Sequence, residues 1–152
     1  MVVSRYPSPD RDMPIFSRRD LPFLLPALAA ARASAQNSAL PSKTYRFTDL
    51  KVNATGENKL RPVLDGHTHS GFRVEVHLTE LPPGGAPHPP HHHVHEEMIL
   101  IKDGTMEVTI SGKATTLGPG SVAYVASNEE HGWQNAGSTR ALYFIVAIGG
   151  NQ

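Results

Sequence analysis

The chain has 152 residues, the size of one domain, and 39% of them are hydrophobic while 18% are charged. This composition supports a packed core and argues against wholesale disorder. The formal net charge is zero, which argues against non-specific binding to nucleic acid or to an anionic membrane. Because the chain has no cysteine, disulfides and thiolate metal sites are excluded, and any metal must be held by nitrogen and oxygen.

Residues 1–35 have the order of an export signal. Arg18 and Arg19 precede an apolar run over residues 21–31, and an A-x-A cleavage pattern follows at residues 33–35. The apolar run is too short to span a bilayer. An amphipathic N-terminal helix is the alternative interpretation.

The arginine pair also indicates a route of export. Ser17-Arg18-Arg19 resembles a twin-arginine signal, although Asp20 fits that pattern imperfectly. We predict cleavage near Ala35/Gln36 and export to the periplasm. The mature protein is then a single domain over residues 36–152 without a membrane span.

The mature part of the chain carries strand signals and almost no helix signals, because glycine and proline interrupt any helical period. Alternation of apolar and polar residues predicts half-buried strands over 72–81 and 105–110. Short continuous apolar runs predict further strands over 98–101, 121–126 and 141–148, with weaker candidates at 44–50 and 59–64. About eight strands in one domain indicate an all-β sandwich or closed barrel.

A histidine-rich segment, HHHVHEE at residues 91–97, comes just before one of these strands. If the segment is extended, His91, His93 and Glu97 project from the same face. His92 and Glu96 then project from the other face, while His95 lies between the predicted ligands and is not expected to join them. Two imidazoles and a carboxylate suit one divalent transition metal: Fe, Mn, Ni, Cu or Zn.

Glycines frame this segment at fixed distances. Gly85, the ligands and Gly104 form a motif over residues 85–104 that resembles the first conserved motif of the cupin superfamily. A second motif over residues 120–135 supplies Gly120, His131 and Asn135. It departs from the family pattern at two positions, with Ala126 in place of proline and Asn128 in place of glycine. Asparagine tolerates a left-handed backbone, so Asn128 is expected to make the same turn.

The resemblance implies a double-stranded β-helix, or jelly-roll barrel, that holds one metal ion. Its implied ligands are His91, His93, Glu97 and His131. Trp133 has the same parity as His131, so it lines a pocket beside the metal or fills the core. Three further residues are candidate pocket walls: Phe72, Val74 and Tyr124.

The remaining histidines have less specific interpretations. His67 and His69 also form a His-x-His pair, but Arg73 stands where a carboxylate is needed, which favours a loop or surface position. His77 is expected on the polar face of a strand, and His88 in a turn bounded by prolines.

Four protein ligands leave up to two open positions on an octahedral metal, so a small molecule can bind there directly. The resemblance implies an oxidoreductase of dioxygenase type that acts on an oxygen-rich small molecule, with Glu97 as proton acceptor. The alternatives are a cupin isomerase or lyase, and a protein that binds or stores a small ligand without turnover.

The alternation of side chains along the predicted strand at 98–101 also bears on the oligomeric state. Met98 and Leu100 are expected on the outer face of the strand that carries Glu97, where they need a cover. The segment around Tyr45 and Phe47 is one candidate cover. A second copy of the chain is the other, and we favour a symmetric homodimer.

Overall fold

The computed structural model describes residues 39–149. The predicted export signal and its cleavage site lie outside this range. Within it the chain forms nine strands and one short 3-10 helix (Phe47–Asp49). In chain order the strands are β1 (Asn53–Thr55), β2 (Asn58–His67), β3 (Arg73–Leu81), β4 (Glu96–Asp103), β5 (Met106–Ile110), β6 (Lys113–Leu117), β7 (Val122–Val125), β8 (His131–Asn135) and β9 (Ala141–Ile148).

The strands form two antiparallel sheets. One has six strands in the order β1-β2-β3-β9-β4-β7, and the other has three in the order β6-β5-β8. The prediction of an all-β double-stranded β-helix is confirmed. Within residues 39–149, no helix has the length and apolarity needed to cross a bilayer.

Most predicted strands lie where the patterns place them, but the prediction of a strand over 44–50 is wrong. The backbone N–H groups of Asp49 and Leu50 donate to carbonyls three residues earlier, those of Arg46 and Phe47, and so form the 3-10 helix. The apolar residues of this segment, Tyr45 among them, lie beside Leu78 and Phe144 on the outer face of the six-stranded sheet. The alternating apolar residues of segment 44–50 therefore pack on this face, and the segment does not pair with a strand.

Alternation along β4 decides which residues enter the barrel. Glu97, Ile99 and Ile101 are buried, whereas Met98 and Leu100 are only half-buried on the outer face, as predicted. The buried β4 residues pack with residues of both sheets in one core: Leu81, Met106, Val108, Val125, Trp133, Ala141, Tyr143 and Ile145. The metal-ligand candidate Glu97 therefore lies on the same face as the hydrophobic core.

The orientation of β3 differs from the expectation for Val74. Register pairs Thr79 with Tyr143 and His77 with Ile145, so the polar residues of β3 share the inner face with the core of β9. Val74 and Leu78 have the opposite parity and belong to the outer face. Val74 is consequently not a wall of the interior.

Candidate metal centre

The shared face of His91, His93 and Glu97 was predicted on the condition that residues 91–97 are extended. The structure does not form a continuous strand there, because β4 begins only at Glu96. His91 is instead held by an isolated antiparallel bridge to His131, with backbone N–O distances of 3.0 and 2.9 Å. His93 follows in an irregular segment, where its carbonyl accepts from the N–H of Asn128 at 2.7 Å. These backbone contacts, from His91 to His131 and from Asn128 to His93, bring the first motif against the second. Strand alternation does not contribute here.

The structure places the four predicted ligands together. The reactive atoms of His91, His93 and His131 lie within 4.8 Å of one another. Glu97 is next to them, with Oε1 at 3.4 Å from Nε2 of His93 and Oε2 at 3.5 Å from Nε2 of His131. His67 and His69 belong to none of the ligand groups found in residues 39–149.

Each of the four residues has one buried polar atom without a hydrogen-bond partner. These are Nδ1 of His91, Nε2 of His93, Oε2 of Glu97 and Nε2 of His131, and no other buried side-chain N or O in the described range is unpaired. Buried polar groups are almost always hydrogen-bonded, so four such atoms in one cluster are compatible with a site for a cation.

Hydrogen bonds at the far side of two rings explain this pattern. The Nδ1–H of His93 donates to the carbonyl of His95 at 2.9 Å, and the Nδ1–H of His131 donates to the carbonyl of Glu129 at 2.8 Å. In the neutral rings Nε2 then carries a lone pair, which faces the carboxylate of Glu97. A cation held by these atoms would relieve the repulsion, and this donor set fits a divalent transition metal.

His91 is also suited to bind a cation as a neutral ligand. Burial is the largest cause that lowers its pKa below the usual 6.5, and the neighbouring His88, His131 and His93 lower it further. A lowered pKa keeps the imidazole unprotonated, which is the form that binds metal.

His95 lies much closer to the site than the sequence suggested. Its Nε2 is 3.2 Å from Oε1 of Glu97, and its ring stacks on that of His93 with centroids 3.5 Å apart and planes 12° apart. His95 therefore packs on one candidate ligand and donates to another. It occupies one oxygen of Glu97 and leaves the other facing His131.

We expect His95→Phe to weaken metal binding about tenfold, because the phenyl ring keeps the stacking on His93 but cannot hold Glu97. His95→Gln should retain more affinity, since its amide N–H can still donate to Oε1. Titration of the purified variants with Zn²⁺ measures both effects. Equal affinities of the Phe variant and the wild type would contradict this role, and total loss of the metal in both variants would make His95 a ligand.

A cavity of about 310 Å³ reaches the buried carboxylate of Glu97. Trp133 lines it and stacks on His131, with ring centroids 5.7 Å apart and planes 17° apart. The indole N–H donates to the hydroxyl of Tyr143 at 2.8 Å. Burial raises the pKa of Tyr143 to about 12, so its hydroxyl stays neutral and serves the cavity as a hydrogen-bonding wall.

Two other candidate wall residues are on the surface. Phe72 is 63% exposed, and Tyr124 is 54% exposed on the outer face of β7. Neither residue lines the cavity, and neither does Val74. Val74 and Tyr124 lie on the outer faces of β3 and β7, and Phe72 precedes β3. Alternation of side chains does not by itself distinguish the inner face of a strand from the outer one.

Several cavity residues escaped the sequence analysis. His77 and Thr79 line the cavity from β3, and His88 also lines it, with its ring centroid 4.1 Å from that of His91. Further lining residues come from β1 and β2: Asn53, Thr55, Asn58 and Lys59. Only the polar parity of β3 hinted at His77, and no sequence signal placed the β1–β2 hairpin at this cavity.

The second motif departs from the family pattern without losing its turn. Asn128 has φ +61°, the left-handed conformation expected of it. Asn135 is buried and donates to the carbonyls of Leu81 and Thr139, while its side-chain oxygen accepts from the N–H of Gly137. It is thus a structural residue that ties the end of β8 to the end of β3.

The fold and the site define a cupin-type β-barrel with a candidate metal centre. Residues 77–148 match the family model described as the cupin domain, which contains all four candidate ligands. This part of the chain is therefore similar to the cupin domain, and solved cupin structures share its fold. No curated protein sequence matches the chain at a significant level.

Solved structures share this fold. The polyketide cyclase RemF from Streptomyces resistomycificus has 24% identity and a TM-score of 0.60, with 71% of this chain and 80% of that chain covered. An RmlC-like cupin from Shewanella frigidimarina has 15% identity and a TM-score of 0.61, with coverage of 74% and 95%. A predicted oxalate decarboxylase from Thermotoga maritima has 21% identity and a TM-score of 0.57, with coverage of 70% and 98%. These likenesses concern the fold, and the names describe different chemistries.

Proposed function

We propose that this protein is a metal-dependent oxidoreductase of dioxygenase type that acts on a small, oxygen-rich molecule. The observation that carries the proposal is the group of four orphaned ligand atoms beside a cavity that admits a small molecule. His91, His93, Glu97 and His131 would hold a divalent transition metal, which would supply polarisation of substrate oxygen atoms and, if it is iron or copper, electron exchange with dioxygen.

The surrounding residues have distinct roles in this proposal. Oε2 of Glu97 faces His131, and Oε1 faces both His93 and His95, so a small rotation of the carboxylate allows it to accept a proton from a substrate hydroxyl. Trp133 and Ile145 form apolar wall beside it and limit the access of water. No thiol exists in the chain, and Tyr143 stays protonated, so neither supplies a nucleophile or base.

Oxygen consumption tests the proposal directly. Protein loaded with iron or with copper should take up dioxygen when catechols or flavonols are added, and Glu97→Gln should slow the uptake more than it lowers metal content. Binding without oxygen uptake would favour a storage or ligand-binding protein instead. Conversion of the ligand without oxygen would favour an isomerase or lyase.

We also propose that the protein is a symmetric homodimer. On the outer face, register places Leu100 opposite Val122 and Met98 opposite Tyr124, and both β7 residues are 54% exposed. The segment with Tyr45 lies beside Leu78, Phe144 and Lys102, and the residues that line this contact do not include Val122 or Tyr124 of β7. A second copy is therefore the proposed cover of the β4–β7 side.

Leu100→Glu should weaken such a dimer by about 100-fold or more, because it buries an unpaired charge in the contact. Thr115→Glu is the matched control, since it adds the same charge at an exposed position of the other sheet. Light scattering over a concentration series measures both. A monomeric wild type, or a dimer that tolerates Glu at position 100, would contradict the proposed interface.

Export is the third proposal. The twin-arginine-like signal predicts that Arg18→Lys together with Arg19→Lys retains the protein in the cytoplasm. Arg5→Lys together with Arg11→Lys is the control, because it changes two arginines of the same N-terminal segment outside the Arg18-Arg19 pair. Cell fractionation measures the location, and the N-terminal sequence of the exported form should begin near Gln36. Export that survives the first pair of changes would favour the general secretory route.

A further inference from the structure

A histidine on β3, His77, faces the cavity and is paired with a carboxylate on the same strand. The His77 side chain is 20% exposed and lines the same cavity as Glu97. Its Nδ1 lies 3.3 Å from Oε1 of Glu75, two residues earlier on the same face of the strand. The candidate metal centre does not use this pair, since its ligand groups contain neither residue.

The register of three strands fixes where this pair lies. Ala147 of β9 pairs with Glu75 on one side and with Glu97 on the other, and Ile145 pairs with His77 and with Ile99. His77 is thus two strands and two residues away from Glu97, which corresponds to roughly 12 Å between their Cα atoms. Both side chains line one cavity with Ile145 between them, so a single small molecule can reach both.

The hydrogen bond to Glu75 determines what the imidazole of His77 can offer. A carboxylate only accepts, so Nδ1 of His77 carries the proton in this contact. In the neutral ring Nε2 is then an acceptor, and it is matched by a hydroxyl group that donates to it. A carboxylate neighbour that orients an imidazole is the arrangement by which proteins prepare a histidine to hold, or to take, the proton of a hydroxyl.

We propose that the His77–Glu75 pair is a second anchor for the ligand of this cavity. It selects molecules that carry, besides the oxygen atoms directed at Glu97 and the metal ligands, a hydroxyl at the opposite end that donates to Nε2 of His77. The inference rests on the proposed function, because it assumes that the ligand's first end binds at the metal centre. It names the substrate class more narrowly: a catechol or similar diol with an additional distal hydroxyl.

Two catechols that differ by one hydroxyl test this anchor. Hydroxytyrosol has a hydroxyethyl arm, and ethylcatechol lacks only the hydroxyl of that arm. Calorimetric titration of zinc-loaded protein avoids turnover and measures both affinities. The wild type should bind hydroxytyrosol roughly threefold to tenfold more tightly, which is the net effect of one hydrogen bond.

Variants of His77 assign the preference to this residue. His77→Phe keeps a ring in the wall and should abolish the difference between the two catechols, whereas His77→Gln should retain part of it through its amide oxygen. His69→Phe, at an exposed histidine, should leave both affinities unchanged. Thermal unfolding shows whether each variant is folded, and the Gln variant gives a second reading if the Phe variant is not.

The outcomes separate this inference from the proposed function. Equal affinities of the two catechols in the wild type, or a difference that survives in His77→Phe, overturn the anchor and leave diol binding at the metal in place. A preference for hydroxytyrosol that persists unchanged in metal-free protein supports the contact with His77 and contradicts binding at the metal. Absence of binding of either catechol overturns both.

Discussion

His131→Ala is expected to lower the affinity for a divalent metal by more than about 100-fold, which exceeds the usual effect of changing a residue that only supports a ligand. His131 joins the two motifs, because its backbone bridges His91 and its Nε2 faces the carboxylate of Glu97 at 3.5 Å. Removal of this imidazole leaves three candidate ligands, all from the first motif. Elemental analysis and Zn²⁺ titration of the purified protein measure the loss.

Substitutions of the other candidate ligands should also lower metal occupancy, to different extents. His91→Ala and His93→Ala are expected to lower occupancy strongly, and Glu97→Gln somewhat less, because its amide oxygen still offers a lone pair. His67→Ala, His69→Ala and His92→Ala are controls that should have almost no effect; His69 and His92 are exposed. Full metal content in His131→Ala would contradict the pairing of the two motifs at one ion.

Gly104→Ala is expected to destabilise the fold by roughly 2–5 kcal/mol. Gly104 has φ +85°, and a Cβ there would lie 2.7 Å from Cα of Ala141 and 3.1 Å from the carbonyl oxygen of Arg140. These are backbone atoms at the start of β9, so the overlap is relieved only if the strand shifts. Urea denaturation followed by the fluorescence of Trp133, the single tryptophan, measures the change.

Gly112→Ala separates backbone strain from steric overlap. Gly112 also has a left-handed φ, +77°, in the turn between β5 and β6, but no atom lies within 4 Å of a Cβ placed there. Its substitution should therefore cost only about 1 kcal/mol. Equal losses at the two positions would show that close contact with Ala141 does not matter.

The sequence by itself was most informative where spacing along the chain carries the signal. The positions of His91, His93, Glu97 and His131 follow two short motifs, and the structure gathers these residues into one cluster. The apolar run over residues 141–148 has the bounds of β9 itself. Alternation along β4 also separated the buried Ile99 and Ile101 from the outer Leu100, because side chains of a strand alternate by geometry.

The tertiary structure decided which face of each strand is inside. Alternation along β3 is the same pattern whether Val74 or His77 points inward, so it does not distinguish the two faces. Pairing with β9 places His77 and Thr79 toward the core and Val74 outside. For the same reason Phe72 and Tyr124 were misplaced as cavity walls, although Trp133, which shares a strand with a candidate ligand, lines the cavity.

Contacts between distant segments decided the rest of the site. His95 reaches Glu97 only because the chain bends before β4 and does not continue as a strand from His91, a local departure that residue spacing does not encode. His77 meets the cavity of Glu97 through two successive strand pairings, β3 with β9 and β9 with β4, and these join residues far apart in the chain. Motif spacing determined the candidate ligands of the metal, while long-range register determined the walls of the cavity, since register depends on how all strands pack together.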